Sequence, residues 1–177
     1  MKSKITSFFT VLLCFCALGI WLYPKFKGNP RLDQLNELNT FYQNELVGRS
    51  VNFPQNLLPI NVNEKLNQLV KDQDKYLLTV IDADCGECMS DLKKWDKYLS
   101  ETQGVSAIFV LTGSDKYNVD FLINDQIHFE YPVYLDRLDE FSNLNDVSAF
   151  KSFRTFHIEG GVIKKVGSPL LLDGLID

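Results

Sequence analysis

The order of hydrophobic and polar residues along the chain predicts strands and helices in alternation. Apolar and β-branched runs at 76–81, 105–111 and 131–135 are typical of buried strands. A single apolar stripe from Cys85 to Leu99 predicts a helix between the first two runs, and residues 117–124 predict a weaker helix before the third. A helical turn is expected at 139–144, then a hairpin of residues 152–159 and 162–166. This order predicts an α/β fold with parallel central strands and one antiparallel hairpin.

The N-terminal residues 5–23 carry no charge and lie between two pairs of lysines, Lys2 with Lys4 and Lys25 with Lys27. At ~1.5 Å per residue, a helix of this length just crosses a hydrocarbon core of ~30 Å. Residues 1–24 therefore predict a signal anchor. A cleaved signal peptide is the alternative, since Ala17 and Gly19 are small residues placed as at a processing site. Both interpretations place the rest of the chain across the membrane.

Residues 25–43 predict a linker or stalk helix, because large apolar residues recur there at spacings of three and four up to Leu46. The alternative, which we favour, is that this helix packs on the domain. We expect the folded domain to occupy residues 44–177. Short extended segments are expected at 51–53 and 57–60, and Asn63 is expected to cap a helix through Leu66 and Leu69.

The charge of the chain narrows the choice of partners. Acidic residues outnumber basic ones by 23 to 18, which gives a net charge of −5, and the two N-terminal lysines belong to the predicted anchor. An acidic domain argues against nucleic acid as a partner. The hydrophobic fraction of 45% indicates a folded domain.

Two of the four cysteines, Cys85 and Cys88, lie outside the N-terminal apolar run and open the first predicted helix of the domain. Reaction at sulfur requires a thiolate, and the free N–H groups and dipole at a helix N-terminus stabilise an anion there. Cys88, one turn later, is close enough for a disulfide and lies on the stripe that faces the core. We therefore expect Cys85 to attack, a mixed disulfide to form, and Cys88 to resolve it.

The residues next to the thiols, Asp84, Gly86 and Glu87, complete the motif, with Asp82 just before it. Three nearby carboxylates disfavour a thiolate on Cys85, so we expect a reductant or exchanger rather than a strong oxidant. The alternative is that water screens these carboxylates, so that they have little effect on Cys85.

Other interpretations of the pair remain open. A zinc site would need two further ligands, and only His128 and His157 could supply them. A cysteine hydrolase would need one of these histidines close to an activated cysteine. The pair could also form a static bridge in a non-catalytic binding module. We expect neither a metal nor another cofactor.

The sequence resembles the thioredoxin-like superfamily, and more narrowly the membrane-anchored thiol-disulfide oxidoreductases of the TlpA/ResA type. The resemblance rests on the strand, CGEC and helix, on ELVGRSVNFP at 45–54, on YPVYLD at 131–136 and on SFRTFHIEGGVIKKVGSP at 152–169. It implies a three-layer sandwich, with a mixed sheet flanked by helices, behind an N-terminal transmembrane or signal helix. It also implies a place on the inner membrane, with the domain facing the periplasm or cell exterior, or secretion after signal cleavage. Its partners would be disulfides or thiols of exported proteins and a membrane thiol electron carrier.

The chain departs from this family at several positions. The family's cis-proline beside the substrate groove corresponds to Phe153 or Arg154, followed by Thr155, so an altered groove is expected. Thr79 replaces the family's buried acid, which removes a proton acceptor for Cys88. Peroxidases of the superfamily keep a threonine or serine where this chain has Asp82, which makes peroxide reduction the less favoured reaction.

Overall fold

The computed structural model describes residues 30–102, 104–113, 115–147 and 155–167. The predicted anchor at 1–24 lies outside the described residues, and so do Phe153 and Arg154 of the predicted groove. Within the described ranges, no helix combines the length and apolar character that a membrane crossing requires. The anchor, the domain boundaries and the localisation therefore stay predictions.

The first described element is helix α1 (Pro30–Leu46), which matches the helix predicted before the domain. The chain divides into two units, Met1–Thr40 and Phe41–Asp177. The cysteine pair and every element after α1 belong to the second unit. In that unit the end of α1 is fixed through Gln43, whose Oε1 accepts a hydrogen bond from the N–H of Val166 at 3.1 Å.

Six strands form one mixed sheet in the order β1-β4-β3-β2-β5-β6. They are β1 (Leu58–Pro59), β2 (Lys75–Asp82), β3 (Ala107–Thr112), β4 (Val133–Asp136), β5 (Thr155–Glu159) and β6 (Val162–Gly167). Strands β2, β3 and β4 are parallel, whereas β1, β5 and β6 pair in antiparallel fashion. The predicted mixed sheet with its terminal hairpin is confirmed. Of the two short extended segments predicted earlier in the chain, only the second contains a strand.

The central strands consist of apolar residues because both of their faces are covered. All six inner residues of β2 and all six residues of β3 are buried. Side chains alternate between the two faces of a strand, so Leu77, Thr79 and Ile81 share one face. The other face carries Leu78 and Val80.

The helices differ in length and in how they begin. Helix α2 (Leu66–Leu69) continues as a 3-10 turn, Val70–Asp72, and its N-cap residue, Lys65, provides no side-chain cap. The expected cap by Asn63 is therefore wrong. Helix α3 (Gly86–Glu101) is long and amphipathic. Helix α4 (Lys116–Asp120) is capped by Asp115 and continues as a π-helix, Phe121–Ile127. Helix α5 (Glu140–Leu144) follows β4.

These helices cover the two faces of the sheet in a three-layer arrangement. On one face, Leu92 and Trp95 of α3 pack with Leu77 and Ile81 of β2 in a single buried cluster. On the other face, the ring centroid of Phe141 in α5 lies 6.3 Å from that of Phe156 in β5. The apolar stripe of α3 thus fixes the start of this helix over the end of β2.

Candidate active site

The turn from β2 into α3 carries the cysteine pair and is held by backbone hydrogen bonds. The N–H of Cys85 donates to the carbonyl oxygen of Asp82 at 3.3 Å, which closes the turn. The N–H of Asp84 donates to the carboxylate of Asp82 at 3.0 Å. The N–H of Ala83 donates to the carbonyl of Thr112, at the end of β3, at 2.7 Å. The turn is therefore fixed both within itself and to the neighbouring strand.

Cys85 is the N-cap residue of α3. Its backbone is extended, with φ −98° and ψ 106°, and its carbonyl accepts the N–H of Met89 at 3.0 Å. Its Sγ accepts a hydrogen bond from the N–H of Cys88 at 3.2 Å. Sulfur here takes the place that an oxygen of serine or aspartate has in an ordinary N-cap. An anion on Cys85 would meet this N–H and the positive end of the helix dipole.

Cys85 and Cys88 form a disulfide, with an S–S distance of 2.17 Å and a Cα–Cα distance of 5.2 Å. Both residues are half-buried, whereas Asp84 and Gly86 are exposed. Cys88 packs against the hydrophobic cluster below α3. The structure thus brings the two predicted thiols together and places one against the core. Gly86 and Glu87 form the first two residues of α3 between them.

Two buried threonines face each other on the side of the sheet that α3 covers. Thr79 and Thr155 are register partners in β2 and β5, and their hydroxyl oxygens are 3.3 Å apart. Their exposed fractions are 2% and 0%. Thr155 is the one described residue of the predicted substrate groove. The sequence indicated each threonine separately but gave no sign that they touch.

Gly113 is a residue near the pair that sequence reasoning missed. It follows β3, and a Cβ atom placed on it would lie 3.0 Å from Cβ of Ala83 and 3.5 Å from Oδ1 of Asp84. The available signal was its position directly after a parallel strand beside β2, since the carboxyl ends of parallel strands meet at one edge of the sheet.

Neither histidine joins the cysteines. His157 pairs with Leu77 in the first half of β2, away from the turn that carries Cys85. His128 is exposed and ends the π-helix, with φ 54°. In the part of the chain that the structure describes, no three His, Cys, Asp or Glu residues are grouped as metal ligands. The pair has no histidine base and no further metal ligands beside it among these residues.

His157 has an altered acidity. Burial lowers its pKa, and the positive charges of Lys75 and Lys165 lower it further against a smaller opposing effect of Glu159. Its Nδ1 is buried and has no hydrogen-bond partner among the described residues. His157 thus lies near the Lys75 end of β2, and the disulfide follows the other end of that strand.

No protein-family model and no curated protein matches the sequence. Solved structures match at the level of the fold. One is described as a thiol:disulfide interchange protein DsbE of Chlorobium tepidum, at 17% identity and a TM-score of 0.53, with 69% of this chain and 84% of that chain covered. Another is described as a thiol-disulfide oxidoreductase of Bacteroides vulgatus, at 14% identity and a TM-score of 0.51, covering 74% and 97%.

A third match is a cysteine-to-serine mutant of PrxQ from Xylella fastidiosa, at 14% identity and a TM-score of 0.50, with 72% of this chain and 88% of that chain covered. At such identities the similarity concerns the fold. The fold of this chain is thioredoxin-like, as the sequence resemblance implied.

Proposed function

We propose that this thioredoxin-like chain is a thiol-disulfide oxidoreductase in which Cys85 is the nucleophile and Cys88 the resolving thiol. The observation that carries the proposal is the hydrogen bond from the N–H of Cys88 to Sγ of Cys85 at the start of α3. A donor at this position lowers the cost of forming a thiolate on Cys85. The packing of Cys88 against the core supports its assignment as the second thiol.

The reaction begins with the reduced pair. The Cys85 thiolate attacks one sulfur of a target disulfide, so a Cys85–target bond forms and the target's own S–S bond breaks. The second target sulfur leaves as a thiolate and takes up a proton. Cys88 then loses its proton and attacks Sγ of Cys85, which forms the disulfide seen here and releases the other target thiol. The target gains two electrons and two protons, and a dithiol donor returns them to the pair.

The surroundings favour exchange or reduction over strong oxidation. Asp82 and Asp84 are both exposed and lie within three residues of Cys85. Their negative charges disfavour a thiolate on the Cys85 sulfur. Thr79 places a hydroxyl group where the resembled family has a buried carboxylate. A hydroxyl is a weak proton acceptor, so we expect proton transfer from Cys88 to proceed through solvent.

The proposed setting is the cell envelope, with residues 5–23 as the membrane anchor and the domain on the outer side of the inner membrane. The uncharged run between lysines supports this proposal. Suitable partners are disulfides or thiols of exported proteins and a membrane thiol carrier as the electron donor. Mass spectrometry of the mature N-terminus would distinguish an anchor from a cleaved signal peptide, since cleavage would remove these residues.

The test of the function is reduction of insulin disulfides with dithiothreitol as the electron donor. We expect the chain to accelerate this reduction and Cys85→Ser to abolish the acceleration. When Cys88→Ala is reduced, freed of dithiothreitol and mixed with insulin, it should accumulate a mixed disulfide, because no second thiol is present to resolve it. Capture of insulin by Cys85→Ala instead would reverse the assigned roles. If thiol reductants cannot open the wild-type disulfide, the pair is a static bridge in a binding module.

A further inference from the structure

The loop after β3 and the turn that carries Cys85 lie side by side at one edge of the sheet. Strands β2 and β3 are parallel and end together, with Asp82 and Thr112 as register partners. The hydrogen bond of 2.7 Å from the N–H of Ala83 to the carbonyl of Thr112 continues this pairing beyond the end of β2. The residue after Thr112, which is Gly113, is therefore in contact with the turn.

The backbone conformation at Gly113 does not require a glycine. Its φ lies outside the positive range that glycine favours, which Gly104, Gly160 and Gly161 occupy. A Cβ atom at Gly113 would instead meet Cβ of Ala83 at 3.0 Å, closer than van der Waals contact allows. A side chain at position 113 would therefore fit only if Ala83 gave way by a few tenths of an ångström.

Neither partner in this contact can easily move away. The N–H of Gly113 donates to the carbonyl of Asp136, at the end of β4, at 3.3 Å, which fixes Gly113 from its other side. Cβ of Ala83 is bonded directly to the backbone, so it moves only if the turn moves. The same turn holds Cys85, because the N–H of Cys85 donates to the carbonyl of Asp82. A side chain at position 113 would therefore displace Cys85.

We propose that Gly113 is a positioning residue for the redox pair, and that its missing side chain sets the place of Cys85 relative to Cys88. The inference rests on the proposed thiol-disulfide exchange. Displacement of Cys85 disturbs the disulfide form more than the dithiol form, because only a disulfide requires both sulfurs at bonding distance. A side chain at position 113 therefore makes the disulfide easier to reduce.

The test measures the equilibrium between dithiol and disulfide in glutathione redox buffers for matched variants. Gly113→Ala should lower the equilibrium constant for disulfide formation at least threefold. Ala83→Gly removes the atom that the new methyl group meets, so the double variant Ala83→Gly/Gly113→Ala should return to the value of Ala83→Gly alone. Rescue of this kind follows from direct contact, and a general loss of stability does not produce it.

Gly161→Ala is the control for loss of stability. Gly161 has φ 73° in the hairpin turn at the far end of β5, so alanine there strains the backbone away from the disulfide. We expect it to lower the melting temperature and leave the redox equilibrium unchanged. A shift of that equilibrium in Gly161→Ala as large as in Gly113→Ala would contradict the inference.

The remaining outcomes separate the two proposals. If wild type exchanges with glutathione but Gly113→Ala does not differ from it, or the double variant is not rescued, the positioning role is wrong and the proposed function stands. If wild type does not exchange at all, the proposed function fails and the inference fails with it. Should Gly113→Ala not fold, recovery of folded protein in the double variant supports the contact, and continued misfolding overturns it.

Discussion

The two ends of strand β2 differ in how their polar groups are satisfied. At the Asp82 end, the N–H groups of Ala83, Asp84, Cys85 and Cys88 all have an acceptor. Near the Lys75 end, Nδ1 of His157 is buried without a hydrogen-bond partner among the described residues, and burial, with a further contribution from nearby positive charges, lowers the pKa of its ring. The contrast concerns the side chain of His157, because backbone N–H groups near the Lys75 end are paired as well, that of Leu77 with Ser106 and that of Gly160 with Asp74. The hydrogen bonds at the Asp82 end fix the turn that carries the cysteines, as the proposed exchange requires.

Among the variants that test this comparison, those of the pair Thr79 and Thr155 should change the unfolding free energy most. Thr79→Val leaves the hydroxyl group of Thr155 buried without its partner, which costs about 1–3 kcal/mol of unfolding free energy. Thr79→Val/Thr155→Val removes both hydroxyls and should cost less than the two single changes together. Urea unfolding of all four proteins measures this coupling. Strictly additive losses would mean that the two hydroxyls do not support each other.

The next effect is a dependence of stability on pH that arises from His157. Its pKa is lowered in the folded protein, so the unfolded chain takes up a proton first as the pH falls below about 6.5. Stability is therefore complete above that pH and declines below it. His157→Gln should lose less stability than wild type between about pH 7.5 and about pH 5.5 in urea melts. Its disulfide equilibrium should match that of wild type, and a clear shift would show that the two ends are coupled.

The smallest effect is expected from Asp84, because its carboxylate is exposed and screened by water. In the reduced protein, Asp84→Asn removes a negative charge near the Cys85 sulfur and should lower the thiol pKa slightly. Ultraviolet absorbance of the thiolate against pH measures this change. Added salt should shrink the difference from wild type, and a rise in the thiol pKa would contradict the electrostatic argument.

The parts of the fold that follow from local patterns could be predicted from the sequence. The apolar run of β2, the cysteines directly after it and the stripe of α3 are signals within about 25 residues, and they determined the predicted order of elements. The terminal hairpin follows from Gly160 and Gly161 between two alternating segments. The cap predicted at Asn63 is wrong because the helix begins later, at Leu66, and its N-cap residue is Lys65, which provides no side-chain cap.

The details of the site depend on contacts between distant parts of the chain. Thr79 meets Thr155 across 76 residues, and Gly113 meets Ala83 across two parallel strands. Both contacts depend on strand register, which one sequence does not specify. The hydrogen bond from the N–H of Cys88 to Sγ of Cys85 is local, and the predicted place of Cys85 at the start of a helix anticipated it.

The reduction potential of the Cys85–Cys88 pair tests the central claim most directly. It can be measured on the protein with its native disulfide, by equilibration with glutathione or dithiothreitol. A catalytic exchanger should have a potential between about −120 and −270 mV, the range of known thiol-disulfide oxidoreductases. A potential below about −300 mV is typical of structural disulfides and would contradict the account.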